Sequence, residues 1–259
     1  MQNSFANKLM HGDCLELMPL LPDKSIDCII ADLPYGITNL KWDSVIPFEP
    51  LWVQYKRLIK PNGAIVLFGS QPFTSALVMS NPKWFKYEWI WEKSKSTGFL
   101  NCNWQPLKSH EGILLFGEFK CSPSNQQNKN FNPQMSFGKP YRDKGSNVKA
   151  SIYNLYKKAS NDNKGTRYPK SVIKFANPNY KSIHPTQKPV PLLEYLIKTY
   201  TTEGELILDN TAGSGSLAIA ALNTKRNYIC IEKDDHYFEV MSNRIAAHIP
   251  IYTEAEDVD

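Results

Sequence analysis

Two short acidic segments carry the residue types that could do chemistry. The first is Asp32-Leu33-Pro34-Tyr35, which closes the apolar run Asp27-Cys28-Ile29-Ile30-Ala31. A carboxylate, a fixed backbone carbonyl and an aromatic face can together grip an exocyclic amine. Asp32 and the Leu33 carbonyl would accept its two N–H bonds while Tyr35 stacks on the ring. The plainer alternative is a strand-terminating turn, which Pro34 and Gly36 would explain alone.

The second segment is Asp209-Asn210-Thr211-Ala212-Gly213-Ser214-Gly215-Ser216, with Glu232 further along the chain. Glycines let the backbone pass close to a ligand, and an acidic residue about 20 positions on can hold ribose hydroxyls. The third glycine of a GxGxxG fingerprint is missing, which disfavours a dinucleotide. Asp209 would sit poorly beside a pyrophosphate but suits a cationic cofactor. Such a turn also serves ordinary strand-to-helix packing.

Both segments need strand ends to hold them. Residues 1–92 alternate short apolar runs with helical spacing. Leu51, Trp52, Tyr55, Leu58 and Ile59 lie on one helical face, Pro61-Asn62-Gly63 stops that helix, and Ile65–Phe68 forms the next strand. The rhythm is lost over 93–181 after a strand at Ile113–Phe116, and Cys121–Gly165 is mostly polar with scattered aromatics such as Phe131, Phe137, Tyr141, Tyr153 and Tyr156. It returns over 182–259. Thr186 caps a helix with Pro189 in its first turn and Val190, Leu193, Leu196, Ile197 and Tyr200 on one face. Strands follow at Glu205–Asp209 and Tyr228–Ile231, with a small-residue helix at Leu217–Leu222 between them. Strands alternating with helices imply a parallel α/β sheet covered on both faces.

Asp-Leu-Pro-Tyr resembles the Asp-Pro-Pro-Tyr motif of amino-group DNA methyltransferases. Asp209–Ser216 is similar to their Asp-Pro-Phe-Ala-Gly-Ser-Gly-Thr cofactor loop, and His184-Pro185-Thr186-Gln187-Lys188-Pro189 matches the segment preceding that loop. The order of catalytic motif, basic insert and cofactor loop resembles the β class of this family. Leu33 replaces a proline whose carbonyl is what the family uses, and Asn210 and Thr211 replace Pro and Phe. The resemblance implies a circularly permuted, Rossmann-like α/β fold of the S-adenosylmethionine-dependent methyltransferases. Residues 1–92 would be its catalytic half, 93–181 a basic target-recognition insert, and 182–259 its cofactor-binding half.

The same resemblance implies roles. Asp32, Leu33, Pro34 and Tyr35 would be catalytic. Asp209, Thr211, Gly213, Ser214, Gly215 and Ser216 would line the methionine part of S-adenosylmethionine, and Glu232 its ribose. Asp13, in Gly12-Asp13, would reach the cofactor. Lys188 would contact the cofactor carboxylate or be a solvated lysine at a helix start. The activity implied is methylation of adenine N6 in double-stranded DNA after base flipping, without a metal.

Charge distribution fits this division. The chain has 259 residues and a formal net charge of +5. Lys93–Lys181 holds 16 Lys and Arg against four Asp and Glu, so the excess is concentrated there. Arg142 and Arg167 are candidates for guanine contacts, and Lys157 and Lys158 for phosphates. A flexible surface insertion is the other reading of this segment.

Several classes are disfavoured. No apolar run has the length of a membrane span, and Met1–Gly12 shows no signal-peptide core. Five scattered cysteines without a CxxC pair, and five unclustered histidines, argue against disulfides and zinc, so a cytoplasmic protein is expected. Cytosine N4 methylation is the nearest rival, although the family's cytosine enzymes tend to carry Ser where this chain has Asp32. Methylation of a protein glutamine or RNA, a catalytically idle DNA-binding module and an NAD-dependent oxidoreductase explain fewer of the motifs. A homodimer and a cognate restriction endonuclease stay open as partners.

Overall fold

The computed structural model describes residues 5–37, 43–119, 121, 131–143, 146–147, 157–158, 161–178 and 187–248. In chain order the strands are β1 (Lys8–His11), β2 (Ile26–Ala31), β3 (Ile59–Gly69), β4 (Phe85–Thr97) and β5 (Lys108–Phe116). Six very short strands follow: β6 (Ser136–Phe137), β7 (Tyr141–Asp143), β8 (Ser146–Asn147), β9 (Lys157–Lys158), β10 (Asn161–Asn163) and β11 (Thr166–Arg167). The last three are β12 (Val172–Phe175), β13 (Leu206–Asp209) and β14 (Asn227–Glu232). The helices are α1 (Cys14–Leu17), α2 (Phe48–Leu58), α3 (Phe73–Ser80), α4 (Val190–Tyr200), α5 (Ser216–Asn223) and α6 (Asp235–Ala246). Among the described residues, no helix is long and apolar enough to cross a membrane.

Eight strands form one sheet in the order β1-β14-β13-β2-β3-β5-β4-β12. From β1 to β3 all neighbours are parallel, and β5 is antiparallel to both β3 and β4. Alternate residues of the central strands point to opposite faces. Cys28, Ile30, Val66, Phe68 and Ile207 pack on α4 and α5 through Leu193, Leu196, Leu217 and Ala221. Ile29, Ala31, Ile65, Leu67 and Leu208 pack on the other side with Leu51, Tyr55 and Leu58 of α2 and Leu77 of α3. Burial on both faces explains why these strands are continuous apolar runs.

Strand order sets the location of any ligand site. The β2-α2-β3 crossover moves one way along the sheet, and β13-α5-β14 moves the other way. β13 and β2 pair in parallel, with Ile207 opposite Cys28 and Leu208 opposite Ile29. The order therefore reverses between these two strands, and the crevice at their carboxyl ends is where open α/β sheets bind ligands. Asp32 and Asp209 stand there, although the chain between them is most of the molecule.

Three expectations need correction. The fourth helix begins at Val190 with Pro189 as its N-cap, and Pro191 in the first turn tolerates the missing N–H. Thr186, expected as the cap, lies with His184 and Pro185 outside the described residues. Pro61-Asn62-Gly63 does not separate helix from strand, because β3 starts at Ile59 directly after α2. These three residues instead form a bulge, where pairing slips between Ile26–Ile59 and Cys28–Ala64. The strand expected at Ile113–Phe116 starts earlier, at Lys108.

Pro133–Lys170 forms its own compact unit, separate from the unit that contains Met1–Asn132 and Ser171–Asp259. Its short strands pair as β7 with β10, β6 with β11 and β8 with β9, all antiparallel. Within Lys93–Lys181, the end of β4, all of β5 and β12 belong to the large sheet. Tyr153 and Tyr156 lie outside the described residues.

Candidate active site

β2 delivers Asp32 at its carboxyl end, and neighbours hold its side chain from two sides and its backbone from a third. Tyr35 Oη donates to Asp32 Oδ1 at 2.7 Å, the Lys188 ammonium bonds Oδ2, and Thr211 Oγ1 donates to the Asp32 carbonyl at 3.1 Å. The turn beyond the motif is pinned by Asp43, whose carboxylate accepts from the Gly36 and Ile37 N–H groups at 2.8 and 3.0 Å. Leu33 is buried, and the Tyr35 ring lies 5.0 Å from that of Phe73.

Lys188 is only 8% exposed and stands between two carboxylates. Its ammonium pairs with Asp32 and lies 3.5 Å from Glu111 Oε2. Glu111 Oε1 is taken by Lys93 at 2.9 Å, whereas the buried Oε2 has no hydrogen-bond partner among the described residues. Burial opposes the Lys188 charge, but Asp32 and Glu111 outweigh it and hold its pKa above the ordinary lysine value. Burial also works against Glu111, and Lys188 with Lys93 reverses that, leaving its pKa low. For Asp32, burial wins over the attraction of Lys188, and the carboxyl titrates above its usual range.

On the neighbouring strand, Asp209 closes β13 and opens the glycine turn. Its Oδ1 accepts from the Thr211 N–H at 3.1 Å. Burial, with the charges of Asp32 and Glu232 adding to it, pushes its pKa up to about 8, against the opposing Thr211 hydrogen bond. Glu232, at the end of β14, accepts from the Gly213 N–H at 2.7 Å through Oε2 and from the Asp234 N–H at 2.8 Å through Oε1. These bonds fix the orientation of the carboxylate at the rim of the turn. The Gly12 N–H donates to the Glu232 carbonyl at 2.9 Å and brings Asp13 alongside. Asp13 caps α1 through the Leu15 N–H and pairs with Lys233 at 2.9 Å, which lowers its pKa.

Gly215 has a backbone requirement of its own. Its φ is +76°, and a Cβ there would lie 2.7 Å from Met241 Cγ of α6. Arg244, from the same helix, donates to the Ser214 carbonyl and to Ser216 Oγ, both at 3.0 Å. Tyr55 Oη donates to Asn210 Oδ1 at 2.6 Å, so Asn210 is held by α2.

A cleft of ≈ 640 Å³ joins the two halves of the site. Asp13, Asp32–Tyr35, Lys188, Asp209, Thr211, Gly213, Ser214, Ser216 and Glu232 all line it. The volume is in the range of small-molecule and cofactor sites. Gly215 shapes the turn from behind. The expected surface residues are placed differently. Arg142 is exposed and pairs with Asp162 at 3.2 Å. The Arg167 guanidinium is turned onto its own unit, donating to Asn163 Oδ1 and the Lys139 carbonyl, both at 2.7 Å, and stacking over Tyr141. Lys157 and Lys158 form β9, and their side chains lie outside the described residues.

Sequence reasoning missed Glu111, Lys93, Lys108 and Arg244. The one local signal is a charge beside an apolar strand run, as in His110-Glu111-Gly112-Ile113-Leu114. Among the described residues, no group of three or more His, Cys, Asp or Glu could hold a metal ion.

Comparison with known proteins agrees with this geometry. A DNA methylase family model of N6/N4 methyltransferases matches residues 26–243. The type II methyltransferase M.HinfI of Haemophilus influenzae is 26% identical over 94% of this chain and 69% of its own length. The crystal structure of an M1.HpyAVI–SAM complex superposes with a TM-score of 0.60 at 23% identity, covering 92% of this chain and 98% of that one. PvuII DNA methyltransferase, described as cytosine-N4-specific, gives a TM-score of 0.61 at 15% identity, covering 91% and 85%. These two neighbours share the fold. With a family match over most of its length and Asp32–Tyr35 ahead of the Asp209–Ser216 loop, the chain belongs to the N6/N4 DNA methylase family, in its β-class arrangement.

Proposed function

We propose that this DNA methyltransferase transfers a methyl group from S-adenosylmethionine to the N6 amino group of adenine in double-stranded DNA. The observation that carries the reading is the meeting of Asp32 and Asp209 at the ends of two paired parallel strands, in one cleft. The residues on the cofactor side fit the group. Gly213–Ser216 form a backbone cradle, Glu232 presents an oriented carboxylate, and buried Asp209 favours a cationic ligand. When bound, the cofactor supplies a methyl group activated by a positively charged sulfur.

The chain's own residues handle the amine. Its nitrogen is a poor nucleophile, because the lone pair is delocalised into the base. Asp32 and the Leu33 carbonyl each accept one amine hydrogen, so the nitrogen becomes more pyramidal and its lone pair turns out of the ring plane. Positioning and electrostatics supply most of the acceleration. Tyr35 offers its ring to the base, offsetting part of the unstacking energy by about 1–3 kcal/mol. Lys188 holds Asp32 Oδ2 and must leave it for the amine to dock. Glu111 Oε2, 3.5 Å from the same ammonium, is placed to receive it. The raised pKa of Asp32 suits it to take up the proton that leaves the methylated nitrogen.

A target amine is inaccessible inside a stacked duplex, so the base flips out. The Pro133–Lys170 unit, with nine Lys and Arg against two Asp, is assigned to DNA contact. Within it Arg142, Lys157 and Lys158 are the candidate DNA contacts, and Arg167 holds the unit's own loops in place. Asp32, where the family's cytosine enzymes tend to carry Ser, favours adenine. The test is to incubate the protein with labelled S-adenosylmethionine and unmethylated DNA, then digest to nucleosides. Labelled N6-methyladenine is expected, labelled N4-methylcytosine would select the cytosine reading, and label in neither would overturn both.

A further inference from the structure

β4 and β5 run on past their neighbour. The β3–β5 pairing ends at Gly69–Gly112, whereas β4 and β5 stay paired as far as Thr97–Lys108. On β5 the extension is four residues, Lys108 to Glu111, with a bulge in β4 between Glu92 and Thr97. It projects from the carboxyl edge of the parallel strands, the edge that bears Asp32, Asp209 and Glu232. The ribbon borders the same cleft, which Glu111 near its base and Lys108 at its outermost pair help to line.

At the tip the chain turns through Gly98, at φ +93°, into a single turn Phe99–Asn101. Phe99 is 68% exposed, Leu100 94% and Trp104 81%. Three large apolar side chains presented together on one narrow tip are a feature of interaction sites. Asn101, Asn103 and Gln105 stand exposed among them, and the sequence has no carboxylate between Glu92 and Glu111. A two-stranded ribbon fits the major groove of DNA, and Asn and Gln amides match base edges there.

We infer that the Gly98–Leu107 tip is a wedge that enters the base stack of duplex DNA and holds open the gap left by the flipped target base. Apolar side chains inserted between base steps are an established way to hold a duplex unstacked. The inference rests on the methyltransferase reading above and adds to it the element that acts on the duplex. Leu100 and Trp104 supply the inserted surface, and the amides around them contact the base pairs on either side.

The test compares the unmodified protein with the Leu100→Ala/Trp104→Ala variant on two substrates. One is a duplex carrying the site to which the labelled base maps on sequenced DNA; the other has an abasic site opposite the target, so that the base is already unpaired. The wedge predicts a loss of about 10-fold or more on the intact duplex, in keeping with removal of a base–aromatic stack. It also predicts a rate within about twofold of the unmodified protein on the opened substrate, and unchanged affinity for S-adenosylmethionine. The fluorescence rise of 2-aminopurine at the target position should disappear with the duplex rate. Equal losses on the two substrates, or none on the duplex, would overturn the wedge and leave the methyltransferase reading intact. A change in oligomeric state accompanying the loss would assign the tip to contact between copies of the chain. Absence of any labelled methylated base in the nucleoside assay would overturn the functional reading and the wedge together.

Discussion

With the cofactor beside Asp209, as proposed, affinity for S-adenosylmethionine should climb with pH up to about 8 and then level, because a cationic ligand favours this buried carboxyl ionised. Its pKa of about 8 comes first from burial, with Asp32 and Glu232 adding repulsion. At pH 7 roughly nine molecules in ten carry the proton, and at pH 6 about 99 in 100. A ligand bearing positive charge favours the ionised form, so binding expels that proton. Affinity then falls about tenfold for each pH unit below 8, close to 2.7 kcal/mol between the plateau and pH 6. Stability of the unliganded protein runs the opposite way. The folded pKa lies above the ordinary carboxylate value, so the Asp209 contribution is fully present below about pH 4 and is lost as pH rises through about 8. Isothermal titration calorimetry at pH 7, in two buffers of different ionisation heat, should report release of about 0.9 proton per cofactor bound. Asp209→Asn should flatten the profile. Affinity that stays level from pH 6 to 8 with no proton released would show that Asp209 does not ionise on cofactor binding.

Three further outcomes follow from the geometry. Glu111→Gln removes the second seat for the Lys188 ammonium, so kcat should drop about tenfold while the cofactor Kd stays constant, with partial recovery in Glu111→Asp; a matching loss in cofactor affinity would argue against this role. Gly215→Ala should destabilise by about 2–4 kcal/mol in urea unfolding, combining strain at φ +76° with the contact at Met241. Adding Met241→Ala should not recover stability fully, since the backbone strain remains. Tyr35→Ala should lower the methylation rate far more than Tyr35→Phe, which loses the 2.7 Å bond to Asp32 but keeps the ring face; equal losses would contradict base stacking.

Local pattern was enough to find the centre of the fold, and insufficient at its edges. β2, β3, β13 and β14 are buried on both faces and read as apolar runs. β1 and β12 pair on one side only, at the two ends of the sheet, and Lys-Leu-Met-His and Val-Ile-Lys-Phe carry no such run. β4 mixes buried Trp89 and Trp91 with outward Glu88, a pattern too polar to stand out without its partners. The start of α4 was misread because a proline-rich approach offers several capping positions, and the chain enters the helix at the last of them.

The site divides in the same way. Asp32–Tyr35 and Asp209–Ser216 are contiguous segments, so their residue types announce a ligand-binding turn before any folding is known. The Lys188–Asp32 bond and the Glu111 seat join residues far apart in the chain, and only the sheet order brings them together. Lys188 reads in the sequence either as a contact to the cofactor carboxylate or as a solvated lysine at a helix start; in the structure it is buried and bonds Asp32. Composition likewise marked Arg167 as a base-reading candidate, yet it could not reveal that the guanidinium folds back on Asn163, Lys139 and Tyr141.

The central claim is that Asp32 handles the amine while the Asp209–Glu232 side of the cleft holds the cofactor. Asp32→Ala, assayed with labelled S-adenosylmethionine on unmethylated duplex DNA alongside a cofactor-binding titration, tests it most directly. The variant should give no labelled methyladenine while binding the cofactor about as tightly as the unmodified protein. Undiminished turnover in that variant would contradict it.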